Sequence, residues 1–463
     1  MPIYTRIFSP EDYGVWSYIG TLVGLYTIVV ALGGTTVSNR FFFDAKDTHR
    51  QRVAVSTWLI FIALWTSAIS LGLVMLARSI SSWPFQTDGY ESVIVLSVLT
   101  VPLTQVNLLC GQVLRDQFQA KRLTALNLMA TSLTIGMSLF AVLVLDLGLT
   151  GLAAGAFASA AIMLPFRLWT ARSMLRMSFS FSLLKPMLHF GIPLVATGLA
   201  YWIFNVSDTV MLGRLSTFDQ VGLYAVAAKV NLVLVLLTGA FGQAWVPHAL
   251  STHQQQPELT HVFFGRVLIY MLVVFGGLGV LIITFTSEIL VILTSPEFYP
   301  AAAAVTPLVL AGVATASTQV TSLGIYLVKK THFLTPISAI AALFNVGLNF
   351  LLIPQWGMVA AGWTTFVAYW FLTSAYLYVS QRLWPINCEY RKLATVTGLV
   401  IMFGVVAPSL PEMGLLFTLI LKLGYCGLYI LMLFICRVLG QLEWEGLRTL
   451  WKQTQSRLHR LPA

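Results

Sequence analysis

Two opposite charges, Asp208 and Lys229, stand inside otherwise apolar stretches of this chain, and their spacing makes them partners. Asp208 precedes Arg214 by six residues and Lys229 follows Gly222 by seven. On helices rising 1.5 Å per residue, each then lies about 9–10 Å from the turn that joins them. An unpaired charge near the middle of a helix in hydrocarbon costs about 2.5–3.5 kcal/mol even on insertion scales, and an opposite charge at equal depth offsets it. Such a pair either braces a helical hairpin or handles an ion or a charged substrate group. Polar side chains at helical spacing accompany it. Thr197, Tyr201, Asn205 and Asp208 form one stripe, and Asn127, Thr131, Thr134 and Ser138 a second. Thr315, Thr318, Gln319 and Ser322 form a third, and Ser338, Asn345 and Asn349 a fourth. Their chemistry is hydrogen bonding by amides and hydroxyls, either as glue between neighbouring helices or as the lining of a wet cleft. Matching stripes in both halves of the chain favour a shared central cleft.

The frame that positions these residues is apolar. Of 463 residues 57% are hydrophobic and only 10% charged, more apolar surface than a soluble fold can cover. Long apolar runs recur near 12–36, 53–77, 92–114, 123–145, 150–167, 187–212, 220–247, 265–290, 301–328, 333–354, 358–380, 393–410 and 414–436. Each is close to the roughly twenty residues that cross a bilayer core of about 30 Å as a helix. The expected fold class is an all-α integral membrane protein with thirteen transmembrane helices. No loop is long enough to hold a soluble domain.

Threading these helices alternately places nearly all Lys and Arg on one side. The opposite side keeps only Arg6, Arg78 and Arg214, while Lys229 and Lys422 lie within helices. Basic loops are retained in the cytoplasm, so the C-terminus is expected to be cytoplasmic and Met1 to emerge outside. The net charge of +10 is thus a topology signal and not a nucleic-acid signal. Lys422 is expected to snorkel to the cytoplasmic interface. Beyond the last span, Leu442, Trp444, Leu447 and Trp451 alternate with Arg448, Lys452 and Arg457, the pattern of an interfacial helix.

An internal repeat orders the helices. At an offset of 208, Arg6 falls on Arg214, Ser9 on Thr217, Glu11 on Asp219, Gly14 on Gly222, Trp16 on Tyr224 and Gly34 on Gly242. At an offset of 211, Asn127, Thr134 and Ser138 fall on Ser338, Asn345 and Asn349, and Gly136 on Gly347. Each unit holds six helices, so the halves share one orientation. Residues 1–170 then form an N-terminal lobe, 171–382 a C-terminal lobe, 383–440 two further helices and 441–463 a cytoplasmic amphipathic tail. Nothing in the first half matches the helix at 187–212. About 20–25 further residues are therefore expected upstream, one more span, giving fourteen helices. The repeat partner of Lys229 is Thr21, so the charge is a local specialisation.

Catalytic signatures are missing. The chain has no GxSxG, no HExxH and no phosphate-binding loop. Cys110, Cys388, Cys426 and Cys436 form no close pair, and His248, His253 and His261 are irregularly spaced around a Gln-rich loop, a weak basis for a metal site. Pro102, Pro193, Pro307 and Pro336 permit kinks.

Three segments carry a family resemblance. The run from Arg6 to Trp16, the run Asp208-Thr-Val-Met-Leu-Gly-Arg214 followed by Val221 to Tyr224 and Lys229, and the run from Leu293 to Ala301 resemble the polysaccharide-biosynthesis flippases of the Wzx type. These belong to the multidrug/oligosaccharidyl-lipid/polysaccharide exporter superfamily. The resemblance implies a MATE-like fold of two six-helix lobes around a central cavity, alternating access, and residence in the cytoplasmic (inner) membrane. The implied substrate is an undecaprenyl-diphosphate-linked oligosaccharide for O-antigen, capsule or exopolysaccharide. A polysaccharide polymerase and a chain-length regulator are implied partners, with membrane lipids and without nucleic acid. No cofactor is implied, and coupling to an H+ or Na+ gradient stays open. Asp208 and Lys229 correspond to family positions facing the cavity. Asn205, Tyr201, Asn127, Asn345, Asn349 and Gln319 would contribute amides, hydroxyls and an aromatic face to such a substrate, with Trp202 and Trp245 as further aromatic faces. Arg40 and Arg115, at cytoplasmic helix ends, would meet the diphosphate first. A cation-coupled multidrug exporter of the same superfamily is the alternative. A polymerase or ligase ranks third, because such an enzyme needs a large outer loop.

Overall fold

The computed structural model describes residues 2–76, 89–176, 178–411 and 414–438. The tail expected at 441–463, and Arg78 of the charge sorting, lie outside the described residues. The structure is helical throughout, as hydrocarbon requires of a chain that must satisfy every backbone polar group internally. In order the helices are α1 (Pro10–Ala31), α2 (Gly34–Asp44), α3 (Thr48–Met75), α4 (Glu91–Asp116), α5 (Ala120–Leu143), α6 (Gly148–Ala171), α7 (Phe181–Leu215) and α8 (Phe218–Gln255). They continue with α9 (Pro257–Thr284), α10 (Thr286–Leu293), α11 (Ala302–Thr321), α12 (Leu323–Leu327), α13 (Leu334–Leu383), α14 (Tyr390–Val406) and α15 (Leu415–Ile435). Among the described residues twelve stretches are long and apolar enough to cross a membrane. One of them contains α13, whose 50 residues would reach about 75 Å if straight. It breaks at Gly357, where φ is 53° and ψ −132°, and so supplies two crossings. Among the described residues these stretches, with α13 counted as two arms, cover the positions of the spans read from the sequence.

Local chemistry fixes the first helix. Ser9 and Asp12 form a capping box, Ser9 Oγ accepting from the Asp12 amide at 3.1 Å, and Pro10 occupies the first turn where its missing N–H costs nothing. The helix stops at Leu32 and Gly33, both left-handed at φ 46° and 72°. The chain restarts at once as α2, and Trp58 Nε1 donates to the Gly34 carbonyl at 2.9 Å across this break. Pro102, Pro193 and Pro307 lie inside α4, α7 and α11, while the sharp breaks fall at the reversed φ of Leu32, Gly33 and Gly357.

The chain divides into two compact units, Phe8–Gly222 and Leu223–Ala463, the latter joined by Met1–Ile7. This boundary differs from the one expected at 170/171: α7 belongs with the N-terminal unit. Glycines explain the attachment. A Cβ at Gly191 would strike the Leu32 carbonyl, one at Gly198 would crowd Ile28, and one at Gly213 would strike the Tyr18 ring, so α7 lies close along α1. Leu184 and Met187 complete a core with Val37, Trp58, Ile62 and Leu109. The N-terminal unit thereby holds six spanning helices, α1 with α2, α3, α4, α5, α6 and α7.

Two glycines matched at the offset of 208 make corresponding close approaches. A Cβ on Gly14 would collide with the Phe218 carbonyl oxygen, and one on Gly222 with the Pro10 carbonyl oxygen. Both pairs belong to the unit Phe8–Gly222. In the C-terminal unit, the 3-10 turn Tyr4–Arg6 is tied to the end of α10 and the segment after it: Thr5 Oγ1 donates to the Leu293 carbonyl at 3.1 Å, and Ser295 Oγ to the Thr5 carbonyl at 2.6 Å. α11 forms the centre of this unit, with Gly312 against Asn231 of α8 and Pro307 against Gly362 of α13.

Candidate functional site

Asp208 lies near the end of α7 and is 4% exposed, between buried Ser207 and Thr209. Asn205, one turn earlier, is exposed, and Trp202 Nε1 lies near Gly24 of α1. The Tyr201 side chain is outside what is described. Lys229 is exposed on α8. Asp208 belongs to the N-terminal unit and Lys229 to the C-terminal one.

The polar stripes turn onto neighbouring helices. On α5, Asn127 Oδ1 accepts from Arg167 Nη2 at 2.7 Å, Thr134 bonds Ser159 at 2.8 Å, and Ser138 Oγ donates to the Leu152 carbonyl at 3.2 Å. All three partners lie on α6. The repeat-related stripe does the same in the C-terminal unit. There Ser338 bonds the Tyr376 hydroxyl at 2.6 Å, Asn349 Nδ2 donates to Asn345 Oδ1 at 3.1 Å, and the Thr364 hydroxyl donates to Asn349 Oδ1. Each stripe thus joins a helix to the next antiparallel one. In these two stripes the hydrogen bonds act between neighbouring helices, one of the two roles the spacing allowed. Gln319 of α11 packs its amide over Gly242 of α8, where a Cβ would stand 2.7 Å from its oxygen. Arg40 is exposed on α2, paired with Asp44 at 3.0 Å and lying 5.2 Å from the Phe190 ring centroid. Arg115 is exposed in the last turn of α4.

Of three buried charged groups, Arg167 and Lys422 were misplaced from the sequence and Asp116 was passed over. Arg167, grouped there with loop cations, is buried inside α6 at 6% exposure; its Nε has no hydrogen-bond partner, and no carboxylate lies within ion-pair distance among the described residues. Asp116 is buried at the end of α4. Its Oδ1 accepts from Asn39 Nδ2 at 2.7 Å and Gln112 Nε2 at 2.6 Å, which ties α2 to α4, while Oδ2 has no partner. Lys422 does not snorkel. It is 3% exposed and donates to both carboxylate oxygens of Glu288 at 2.7 and 2.8 Å, holding α15 against α10. Hydropathy marked these helices but not their sides, and only the side separates a loop charge from a buried one.

The histidines serve packing. His261 stacks on Trp384 at 4.2 Å, His253 meets the same ring edge-on at 5.4 Å, and His261 Nδ1 contacts the Pro385 carbonyl. Among the described residues no group of three or more His, Cys, Asp or Glu is placed to hold a metal. The four cysteines are free. Trp245 is buried among Phe241, Phe263 and Phe264. Cys388, in the loop between α13 and α14, is half-buried; burial pushes its thiol up, partly offset by the bond from Gln381 Nε2 at 3.1 Å.

A family described as polysaccharide biosynthesis protein matches residues 3–303. The chain belongs to that family. Among curated proteins, none matches it in sequence. Solved structures match its fold. An inward-facing multidrug resistance MATE family transporter of the MOP superfamily aligns with a TM-score of 0.68 at 13% identity, covering 82% of this chain and 92% of its own. The lipid II flippase MurJ in an inward closed conformation aligns at 0.67 and 12% identity, covering 91% and 98%. The Vibrio cholerae MATE transporter VcmN, in a mutant form, aligns at 0.53 and 14%, covering 82% and 95%. The chain therefore has an all-α, multi-pass membrane fold of two helical lobes like that of these transporters. At these identities the likeness speaks for the fold alone.

Proposed function

We propose that this protein is a flippase that carries an undecaprenyl-diphosphate-linked oligosaccharide across the cytoplasmic membrane by alternating access, for surface polysaccharide synthesis. The observation that carries this reading is the family match over residues 3–303, on a bundle of apolar helices long enough to cross a membrane. A lipid-linked sugar needs cationic donors for its diphosphate, amides and hydroxyls for its glycan, and an open flank for its tail. Arg40 and Arg115 are exposed on the basic side, cytoplasmic by the positive-inside rule, and suit the first contact. Asp208 and Lys229 are the residues we assign to substrate or to an H+ or Na+ coupling ion, and a polymerase and a chain-length regulator are the expected partners.

A second reading, a cation-coupled multidrug exporter, is favoured by the likeness to MATE transporters, one of which aligns at 0.68, level with the 0.67 of the lipid II flippase. One experiment separates the two. Deleting the gene should leave undecaprenyl-linked repeat units on the cytoplasmic leaflet and little surface polysaccharide, with glycosyltransferase activity unchanged. Unchanged polysaccharide together with dye sensitivity selects the exporter.

A further inference from the structure

We propose that the first three turns of α7 form a binding site for the headgroup of an anionic phospholipid. A shallow, open surface space of about 620 Å³ lies along this helix, lined among the described residues by Phe181, Leu184, Pro186, Leu188 and Ile192 around the two polar side chains Lys185 and His189. Those two stand one turn apart on the exposed face of the helix, where residues four apart are neighbours. Lys185 makes no ion pair among the described residues. Arg40 of the adjoining helix is not among the site's donors: it lies 5.2 Å from the ring of Phe190, the residue after His189, and is paired with Asp44 at 3.0 Å.

Place and composition select the ligand. The site opens the spanning helix just after the basic residues Arg172 and Arg176, at headgroup depth in the leaflet on the basic side. One ammonium and one imidazole suit a single phosphate. Leu188 and Ile192, successive on the same helix, continue the floor toward the bilayer interior and give an acyl chain a course. A soluble anion leaves that apolar floor uncovered. A sugar diphosphate needs more donors than the floor supplies. The site holds whichever substrate the protein moves.

The test uses full-length protein in bilayer nanodiscs containing phosphatidylcholine with or without phosphatidylglycerol, released into a native mass spectrometer to count retained lipid. Phosphatidylglycerol adducts are expected on the wild type. Lys185→Gln should lower their apparent affinity about fivefold, the factor given by about 1 kcal/mol per basic residue at a membrane surface. Lys185→Arg should retain them, and Lys121→Gln, a charge lost elsewhere on the same side, should change nothing. Equal retention by Lys185→Gln and wild type overturns the site, as does equal loss from Lys121→Gln. Displacement of phosphatidylglycerol by stoichiometric undecaprenyl diphosphate, lost again in Lys185→Gln, overturns the phospholipid as occupant and makes the site one for the polyprenyl carrier.

Discussion

Gly14 lies against the carbonyl of Phe218 as Gly222 lies against the carbonyl of Pro10, so two residues related by the 208-residue repeat meet each other reciprocally. A contact of this form is what a local two-fold produces, as in an isologous dimer interface. It also makes both positions intolerant of any side chain.

Gly14→Val and Gly222→Val are therefore expected to destabilise the protein to similar extents, beyond the about 1–3 kcal/mol of ordinary overpacking, because backbone and not a movable side chain stands in the way. Gly20→Val, in the same helix with open space around it, should be near neutral. Thermal unfolding of purified protein in detergent checks this. Tolerance at one glycine only would show that the contact is not reciprocal.

The paired glycines Gly14 and Gly222 were legible in the sequence because glycine at a close approach has no substitute. Spans were legible because hydrocarbon leaves the backbone only helix. The unit boundary was not, since it depends on which helix faces adhere; the clue was the spacing Gly191, Gly198, Gly213, which needs its partner α1 to be read. Asn127, Asn345 and Asn349 were found as polar stripes, but periodicity gives a face without naming what the face meets. Arg167 and Lys422 were misplaced for a related reason, as distance from a helix end does not give burial.

Lys422 and Glu288 bond bidentately with the lysine almost fully buried, so removing one partner strands the other. Lys422→Met and Glu288→Gln should each destabilise the docking of α15. The cost should fall short of the about 3–5 kcal/mol typical of a fully buried pair, since Glu288 keeps some exposure. Lys422→Met with Glu288→Gln should recover most of the loss. Proteolysis rates and melting temperatures of the three variants measure it, and additive losses in the double variant would refute a paired role.

For Asp208 and Lys229, transport is the readout. Asp208→Asn and Lys229→Gln should each reduce it. A double variant that is well expressed yet inactive marks a role in substrate or ion handling, whereas recovery in the double variant marks a structural pair. Full transport by both single variants removes them from the mechanism.

Topology follows from charge asymmetry. In a cysteine-free background, Glu297→Cys and Ser409→Cys, both exposed, should react with an impermeant thiol reagent in sealed cells, and Ser173→Cys only after permeabilisation. Labelling of the last in sealed cells reverses the orientation.

Cys388 should alkylate more slowly than a free thiol at neutral pH, because burial raises its pKa and leaves less thiolate. Its rate should climb as pH rises. Gln381→Ala removes a bond that favours the thiolate and should slow the reaction at a given pH, followed by maleimide mass labelling.

The break at Gly357 bears on how the chain enters the membrane. The turn of α13 carries no charge, whereas Lys329 and Lys330 precede the helix and Arg382 stands near its end. A translocon that meets this 50-residue stretch finds nothing at its centre to retain on either side, and basic anchors at both ends to retain on the same side. We expect the two arms to integrate together as a hairpin whose uncharged tip crosses last, and a Lys introduced at Gln355 to slow biogenesis at that step.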